Sequence, residues 1–165
     1  MIRNILICAM LVSTLSARFE VSIPGISVHF GQGADHAPRK LDEKGIFVFN
    51  PGIGAGYDFR DEGNKSGLSF LISGMYFKDC ADRNMIVLGV GGRGRLMVSD
   101  NFSLDLNLLP SLGFIDGDKA FLPVVTAGVN YHFTPTFSTG LTFAFVPAFN
   151  DQDSNLGFFV LNFAF

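Results

Sequence analysis

The amino-acid sequence predicts an all-β protein, an eight-stranded antiparallel transmembrane β-barrel, on three observations. The chain of 165 residues contains 19 Phe and 19 Gly, whereas only 16% of its residues are charged. A small soluble core could not bury so many phenylalanines, so some are expected to face lipid. The large apolar residues alternate with small or polar ones, which is the period of a β-strand. Beyond residue 17, no apolar run approaches the length of about 20 residues that a membrane helix needs.

The first four segments with this alternation are separated by polar connections. The first (19–30) precedes GQGADHAPRKLDEKG, the second (46–59) ends at RDEGNKS, the third (67–78) ends at DCADRN, and the fourth (85–98) ends at SDN. Gly, Asp, Asn and Ser are the residues that form turns between strands. Each segment therefore predicts one strand bounded by a turn or loop.

Four further segments continue the alternation. The fifth (102–115) ends at DGDK, the sixth (120–133) at TPT and the seventh (137–147) at AFNDQDSN, and the eighth is 156–165. RDEGNKS, SDN and TPT lie on one side of the predicted barrel and are mostly shorter, as periplasmic turns are in outer-membrane barrels. Both ends of the barrel domain then lie on the periplasmic side. The connections expected to face outside are 31–45, 79–84, 116–119 and 148–155.

The last two strands indicate which face meets lipid. One face of the eighth strand carries large side chains and the other carries small or polar ones: Phe159, Leu161, Phe163 and Phe165 against Val160, Asn162 and Ala164. The seventh strand divides in the same way, with Phe143 and Phe145 opposing Thr142 and Ala144. Small and polar side chains fit the narrow lumen of an eight-stranded barrel. We therefore expect the bulky face to point outward.

The first 17 residues, MIRNILICAMLVSTLSA, have the features of a secretory signal peptide. Arg3 precedes an apolar run from residue 5 to residue 15, and Ser16 and Ala17 suit a cleavage site. A retained membrane helix is the alternative, but the run is too short to cross a bilayer. We expect a signal peptide at 1–17 and a single barrel domain at 18–165.

Charge and cysteine content exclude several functions. The net charge is slightly negative and no basic run is present, which argues against a nucleic-acid partner. Removal of the signal peptide, which contains Cys8, leaves Cys80 as a lone cysteine without an internal disulfide. No spacing typical of a zinc site or a phosphate loop occurs, since the glycine-rich GVGGRG lies within a strand. We expect neither a metal nor another cofactor.

The SDN turn predicts a register between the fourth and fifth strands. A three-residue turn sets Arg95 opposite Asp105 and Arg93 opposite Asn107, all on the inward face. Charges inside a membrane barrel need such partners. These residues are read either as a structural network that fixes the register or as groups with a direct functional role.

A histidine, a carboxylate and a thiol are predicted near the outer rim. His29 lies at the end of the first strand, and Asp79 and Cys80 follow the end of the third. An imidazole can accept a proton from a thiol or hydroxyl while a carboxylate orients it, so the three form a candidate catalytic group. The alternatives are a histidine bonded to a loop, an aspartate that caps a strand and a small residue at a tight turn.

Prolines and glycines indicate gaps and space in the barrel. Each proline within a strand removes a hydrogen-bond donor from the ladder and can leave a gap in the wall; those inside or at the ends of predicted strands are Pro24, Pro51, Pro110, Pro123 and Pro147. Gly89 and Gly91 are expected to face inward and to leave lumen space for an apolar tail.

Several of these segments together resemble the lipid A palmitoyltransferase (PagP) family of outer-membrane acyltransferases. MYFKDC is similar to the family's Met-x-Phe-Lys-Asp-Ser, whose Asp and Ser are catalytic, and SIPGISVHF resembles the strand with its catalytic histidine. NPGIGAGY and SDNFSLDL also resemble family segments. The resemblance covers nearly all of residues 18–165 and implies catalytic roles for His29, Asp79 and Cys80.

The resemblance also implies a substrate path. Four prolines fall on those that flank the family's lateral lipid entrances (Pro24, Pro51, Pro123 and Pro147), and Gly89 and Gly91 fall where the family has the floor of its acyl pocket. The implied reaction moves an acyl chain from a phospholipid to lipid A in the outer membrane of a Gram-negative bacterium, catalysed by a monomer. The chain departs from the family in having Cys80 for the serine, no amphipathic N-terminal helix and no tryptophan. The alternative function is a non-catalytic barrel that binds lipid or alters the cell surface through loop 31–45.

Overall fold

A computed structural model describes six ranges of the chain: 18–30, 47–60, 66–78, 83–115, 118–147 and 155–165. For His29, Phe30, Phe47 and Val48 it describes the backbone alone. The predicted signal peptide, the loop at 31–45, and Asp79 with Cys80 lie outside the described residues.

Nine β-strands form the fold. They are β1 (Arg18–Phe30), β2 (Phe47–Phe49), β3 (Gly52–Phe59), β4 (Gly67–Lys78), β5 (Asn84–Met97), β6 (Phe102–Ile115), β7 (Asp118–His132), β8 (Ser138–Val146) and β9 (Asn155–Ala164). The prediction of one continuous strand at 46–59 was wrong, because that strand is divided into β2 and β3 at Asn50 and Pro51. Since β2 and β3 occupy the same place in the barrel wall, the eight predicted barrel strands are confirmed. Within the described ranges, no helix is long and apolar enough to cross a bilayer.

The sheet closes on itself through β1 and β9. Neighbouring strands pair antiparallel around the barrel, and the β1–β9 ladder runs from Glu20 opposite Ala164 to Phe30 opposite Asn155. Phe19 and Phe165 exchange two backbone hydrogen bonds of 3.2 and 2.8 Å. We call the end of the barrel that carries Phe19 and Phe165 the terminal end, and the opposite end the loop end. Closure pairs backbone groups that an open edge would leave exposed to lipid.

The exterior of the barrel is apolar, as predicted. Along β6, buried Ser103, Asp105 and Asn107 alternate with exposed Leu104 and Leu106. Phe159, Leu161 and Phe165 are likewise exposed, whereas Val160 and Ala164 are buried. Large apolar side chains outside and polar side chains inside are the arrangement of a transmembrane barrel.

The interior is divided into two halves, which the sequence reasoning did not anticipate. Large apolar side chains fill the loop-end half, which we call the apolar half of the lumen: Leu71, Phe77, Met85, Leu109, Leu122, Val124, Ala144, Val146, Phe158 and Val160. The expectation of a lumen lined by small and polar residues therefore holds for the terminal half alone. There, charged and amide side chains meet at the barrel axis.

Gly91 allows β5 and β6 to approach closely. A Cβ atom at this position would lie 1.9 Å from the carbonyl oxygen of Leu108, a distance that no side chain can occupy. At the neighbouring Gly92, a Cβ atom would meet nothing within 4 Å. The space beside Gly91 is therefore occupied by the β6 backbone. It is not lumen space for an apolar tail, as the sequence had led us to expect.

We predict that Gly91→Ala destabilises the folded barrel and that Gly92→Ala does not. The first substitution forces the β5 and β6 backbones apart, at a cost of about 1–3 kcal/mol for an overpacked site. Unfolding in urea, followed by the mobility difference between folded and unfolded barrel on a gel, measures both variants. Equal stability of the two variants would contradict the close approach of these strands.

Candidate functional site

Of the three predicted catalytic residues, the structure describes only the backbone of His29, which lies at the loop end. His29 lies in β1 opposite Leu156 of β9. Asp79 and Cys80 lie outside the described residues, directly after Lys78, which ends β4 opposite Asn84. The ends of β1 and β4 thus lie at the same end of the barrel. The grouping of the three side chains stays a prediction.

The ladder between β1 and its neighbour is interrupted at two prolines. β1 pairs with β3 as far as Ser22 opposite Gly54, and pairing with β2 resumes at Ile26 opposite Phe49. Pro24 lies within this interruption, fully buried, and Pro51 lies between β2 and β3. On its other side, β1 shows a register shift against β9 between Pro24 and Ser27.

The described ladder between β7 and β8 also ends short of the loop end. Their ladder reaches Val125 opposite Phe145 and goes no further among the described residues. If this register were continued, Pro123 and Pro147 would lie opposite each other, two residues beyond that last pair. Among the described residues, β7 from Asp118 to Val124 pairs with β6, and Pro123 there faces Pro110. Two proline pairs therefore mark two places where the described strands lack a continuous ladder, although Asn50 N donates to Gly25 O at 2.6 Å across the first.

The apolar half of the lumen lies behind the β7–β8 interruption. Leu122, Val124 and Val146 of these two strands are buried and line a cavity of about 100 Å³. That volume accommodates several water molecules. The rings of Phe77 and Phe158, with centroids 5.8 Å apart, occupy much of the remaining interior. An acyl chain could enter only if these rings moved.

Gly89 borders this cavity, in contrast to Gly91. A Cβ atom at Gly89 would lie 2.6 Å from Ser111 Oγ and 3.5 Å from both Leu109 Cβ and Ser73 Oγ. These neighbours belong to the cavity lining. Gly89 therefore leaves space for inward-facing side chains of the adjacent strands.

Arg93 is the centre of the polar half. Its guanidinium donates to both carboxylate oxygens of Glu20, with Nη2 at 2.8 Å from Oε2. It also donates to Asp58 Oδ2 at 3.0 Å and to Asn107 Oδ1 at 2.8 Å. All four residues are buried. Arg93 on β5 thereby connects β1, β3 and β6 across the lumen.

Arg95 and Asp105 form a second buried pair. Arg95 donates from Nε and Nη2 to the two carboxylate oxygens of Asp105 at 2.7 and 2.6 Å. The residues face each other across the β5–β6 ladder, in the register derived from the SDN turn. Such bidentate pairing is strong and geometrically specific.

Arg18 and Arg60 extend this network towards the terminal end. Arg60 contacts Asp58 at 3.5 Å and Ser69 at 3.1 Å, and Arg18 donates to Ser138 Oγ at 3.1 Å. Three buried atoms here have no hydrogen-bond partner among the described residues: Arg18 Nε, Asp58 Oδ1 and Arg60 Nη1. We call the seven charged residues the charge network: Arg18, Glu20, Asp58, Arg60, Arg93, Arg95 and Asp105. The network is least completely paired at the β1 and β3 side.

Sequence reasoning found part of this network and missed the rest. It identified Arg93 and Arg95, because a three-residue turn fixes the positions opposite them. Glu20 and Asp58 were missed, since they meet Arg93 across 73 and 35 residues of chain. The alternation along β1 and β3 places both residues on the inward face, so the sequence could have predicted that they are buried. It could not have identified Arg93 as their partner.

The fold and the lumen define a class of protein: a small closed β-barrel with an apolar exterior and a charged interior. Three solved barrels are similar to it. Neisserial surface protein A is 18% identical with a TM-score of 0.51, over 90% of this chain and 94% of that chain. The attachment invasion locus protein Ail of Yersinia pestis, in complex with the heparin analogue sucrose octasulfate, is 14% identical with a TM-score of 0.53, over 91% and 98%. The N-terminal β-barrel domain of Pseudomonas aeruginosa OprF is 13% identical with a TM-score of 0.54, over 90% and 97%.

These similarities establish the barrel fold and nothing finer, because the sequence identities are low. No protein-family model and no curated protein sequence matches the chain. The three barrels are outer-membrane proteins outside the acyltransferase family that the sequence resembles. The acyltransferase assignment is therefore a proposal.

We predict that Arg95→Leu destabilises the barrel strongly and that the double variant Arg95→Leu with Asp105→Leu recovers much of the loss. The single change leaves the buried Asp105 carboxylate with only its longer contact to Arg93 Nε at 3.7 Å, and breaking a buried pair in this way costs up to about 3–5 kcal/mol. Replacing both groups by apolar side chains removes that poorly paired charge. Urea unfolding of the two variants beside wild type gives the comparison, and a double variant no more stable than the single one would contradict it.

Proposed function

We propose that the protein is an outer-membrane acyltransferase that moves a fatty acyl chain from a phospholipid to lipid A. The terminal end lies in the periplasm and the loop end faces outside, so the apolar half of the lumen is level with the outer leaflet. A monomer suffices for this reaction, and no cofactor is required. The partners are the phospholipid donor and the lipid A acceptor.

The two proline interruptions carry the proposal. Unpaired backbone in the hydrocarbon region is costly and is tolerated chiefly where it serves a function. Pro123 and Pro147 flank an interruption whose inner side is the apolar cavity, and Pro24 and Pro51 flank another. A lipid tail could leave the bilayer sideways at such a place and remain in apolar surroundings throughout.

The residues resembling the family's catalytic group supply the chemistry. His29 acts as the general base that removes a proton, Asp79 orients its imidazole, and Cys80 takes the place of the family's serine. The acceptor hydroxyl of lipid A attacks the ester carbonyl of the phospholipid, the ester C–O bond breaks, and the departing lysophospholipid takes up a proton. The reaction is a transesterification, so one ester bond forms for each ester bond that is cleaved.

A non-catalytic barrel that holds a lipid tail is the second candidate. The observation that favours it is the small cavity, which Phe77 and Phe158 restrict. The thiol in place of the family's hydroxyl is in line with a barrel that has kept the lipid path without the reaction. Residues 31–45, which the sequence predicts to face outside, would then alter the cell surface.

We predict that cells expressing the protein produce lipid A heavier by one acyl chain, and that His29→Ala abolishes the gain. The general base is then missing while the barrel wall is unchanged. Mass spectrometry of extracted lipid A measures the gain. His132→Ala is the matched control, because His132 lies at the terminal end, where its Nε2 is 2.9 Å from Ser103 Oγ. No mass gain from folded wild type under any inducing condition would contradict the acyltransferase and leave the lipid-binding barrel.

The same assay on Cys80→Ser tests the thiol. Higher activity in the serine variant would mean that the cysteine is a handicap, whereas lower activity would mean that the site is adapted to sulfur. The thiolate is the nucleophilic form of cysteine, so an adapted site would also need to lower the thiol pKa.

We predict that a disulfide across the β7–β8 interruption blocks acyl transfer reversibly. Pro123→Cys with Pro147→Cys joins the two strands at the proposed entrance, and a reductant restores the same molecule. The control pair, Val125→Cys with Phe145→Cys, joins the strands where they are already paired. Peptide mass identifies the linked cysteines, since Cys80 is retained. Equal transfer before and after reduction of the Pro123–Pro147 link would show that lipid does not pass here.

A further inference from the structure

The charge network and its polar neighbours lie in the terminal half of the lumen. The most deeply buried of these residues come from β1, β3, β5, β6, β7 and β8, and each is at most 9% exposed: Glu20, Asp58, Arg93, Arg95, Ser103, Asp105, Asn107, Asn130 and Ser138. Burial of so many charged groups is costly unless each finds a partner. Their concentration at one level therefore calls for an explanation beyond wall packing.

Arg93 bridges the lumen from one wall to the other. Its partners Glu20, Asp58 and Asn107 lie on three strands, and the pair with Glu20 joins β5 to β1, which are not neighbours in the sheet. Arg95 with Asp105 occupies the adjoining space on the β5–β6 side. Side chains that merely lined a channel would leave its axis open.

A second polar layer lies above the first. Ser22 donates to Asn162 Oδ1 at 2.7 Å, and Asn162 donates to Thr142 Oγ1 at 2.7 Å. Asn107 donates to Thr126 Oγ1 at 2.6 Å. Between the layers, a polar void of about 10 Å³ remains. That void accommodates a single water molecule, which is too little for a continuous column of water.

We propose that these two layers form an ion-tight septum that separates the lumen from the terminal end, and that Arg93 is the residue that keeps it closed. Within the described part of the chain, the apolar half of the lumen can then exchange its contents only sideways or through the loop end. The barrel is a closed chamber rather than a pore. This inference does not depend on acyl transfer, because it concerns small inorganic ions such as K⁺ and Cl⁻.

If a substitution opened the septum, the charged side chains that remain there would determine whether cations or anions pass. Removal of Arg93 leaves Glu20 without its bidentate partner at the barrel axis and leaves Asp58 with the longer contact to Arg60 at 3.5 Å. Removal of both carboxylates instead leaves the Arg93 guanidinium unopposed there. Rings of carboxylates favour cation passage and rings of arginine favour anion passage. The two changes should therefore open the same place with opposite selectivity.

The experiment is single-channel recording in planar lipid bilayers under a KCl gradient. We expect wild type to show no sustained conductance, Arg93→Ala to show discrete steps with a cation-selective reversal potential, and Glu20→Ala with Asp58→Ala to show steps with the opposite sign. Leu106→Ala, which alters an exposed side chain on the outer wall, is the control and should remain closed. Folding of each variant is checked by its gel mobility.

Several outcomes would overturn the septum. Steady conductance through wild type would contradict closure, and folded Arg93→Ala without conductance would contradict the role of Arg93. A common reversal potential in both variants would indicate a nonspecific leak. If Arg93→Ala fails to fold, Arg93→Lys keeps the charge but loses the bidentate geometry, and we expect it to open briefly where wild type does not. A permanently closed Arg93→Lys barrel would count against the proposal in the same way.

Discussion

The closure of the barrel between β1 and β9 is the constraint on which the other features depend. In lipid, backbone donors and acceptors have no water to pair with, so a sheet must join its own edges. The ladder from Glu20 to Phe30 achieves this, and the Phe19–Phe165 bonds complete it at the terminal end. Closure also fixes which residues face inward, because a shift by one residue would exchange the two faces. The polar lumen of the terminal half and the apolar exterior beside it are consequences of the register from Glu20 to Pro24, which shifts before Ser27.

Departures from complete pairing are informative because closure is so strongly favoured. The interruptions at Pro24 with Pro51 and at Pro123 with Pro147 lie in the half of the barrel whose lumen is apolar. The polar half has a continuous wall on the same strands, since β7 and β8 pair without a break from Val125 to His132. A gap beside the charge network would expose buried ions to lipid. A gap beside apolar side chains carries no such penalty, which explains why the two features are separated along the axis.

Sequence alternation predicted the strands and their faces, because each depends only on residues close in the chain. The Arg95–Asp105 register was derivable for the same reason, since ten residues and one turn separate the partners. The meeting of Arg93 with Glu20 was not derivable, because it depends on barrel diameter and strand tilt across 73 residues of chain. The division of β2 from β3 reflects one missing donor at Pro51. Phe158 was placed in a wall strand, but its partner Phe77 lies across the lumen and no local pattern relates them.

The two halves of the lumen also limit what any lipid chemistry at the loop end could use. A tail that entered beside Pro123 would first meet Leu122 and Val124 and then Asn107 and Thr126, where the cavity becomes polar on its way to Glu20 and Arg93. Displacing those groups would break hydrogen bonds within a low-dielectric interior, where each unpaired group is costly. The depth available to a tail is therefore set by the polar layer rather than by the length of the barrel. Gly89, beside Ser111 and Leu109, borders that same boundary from β5.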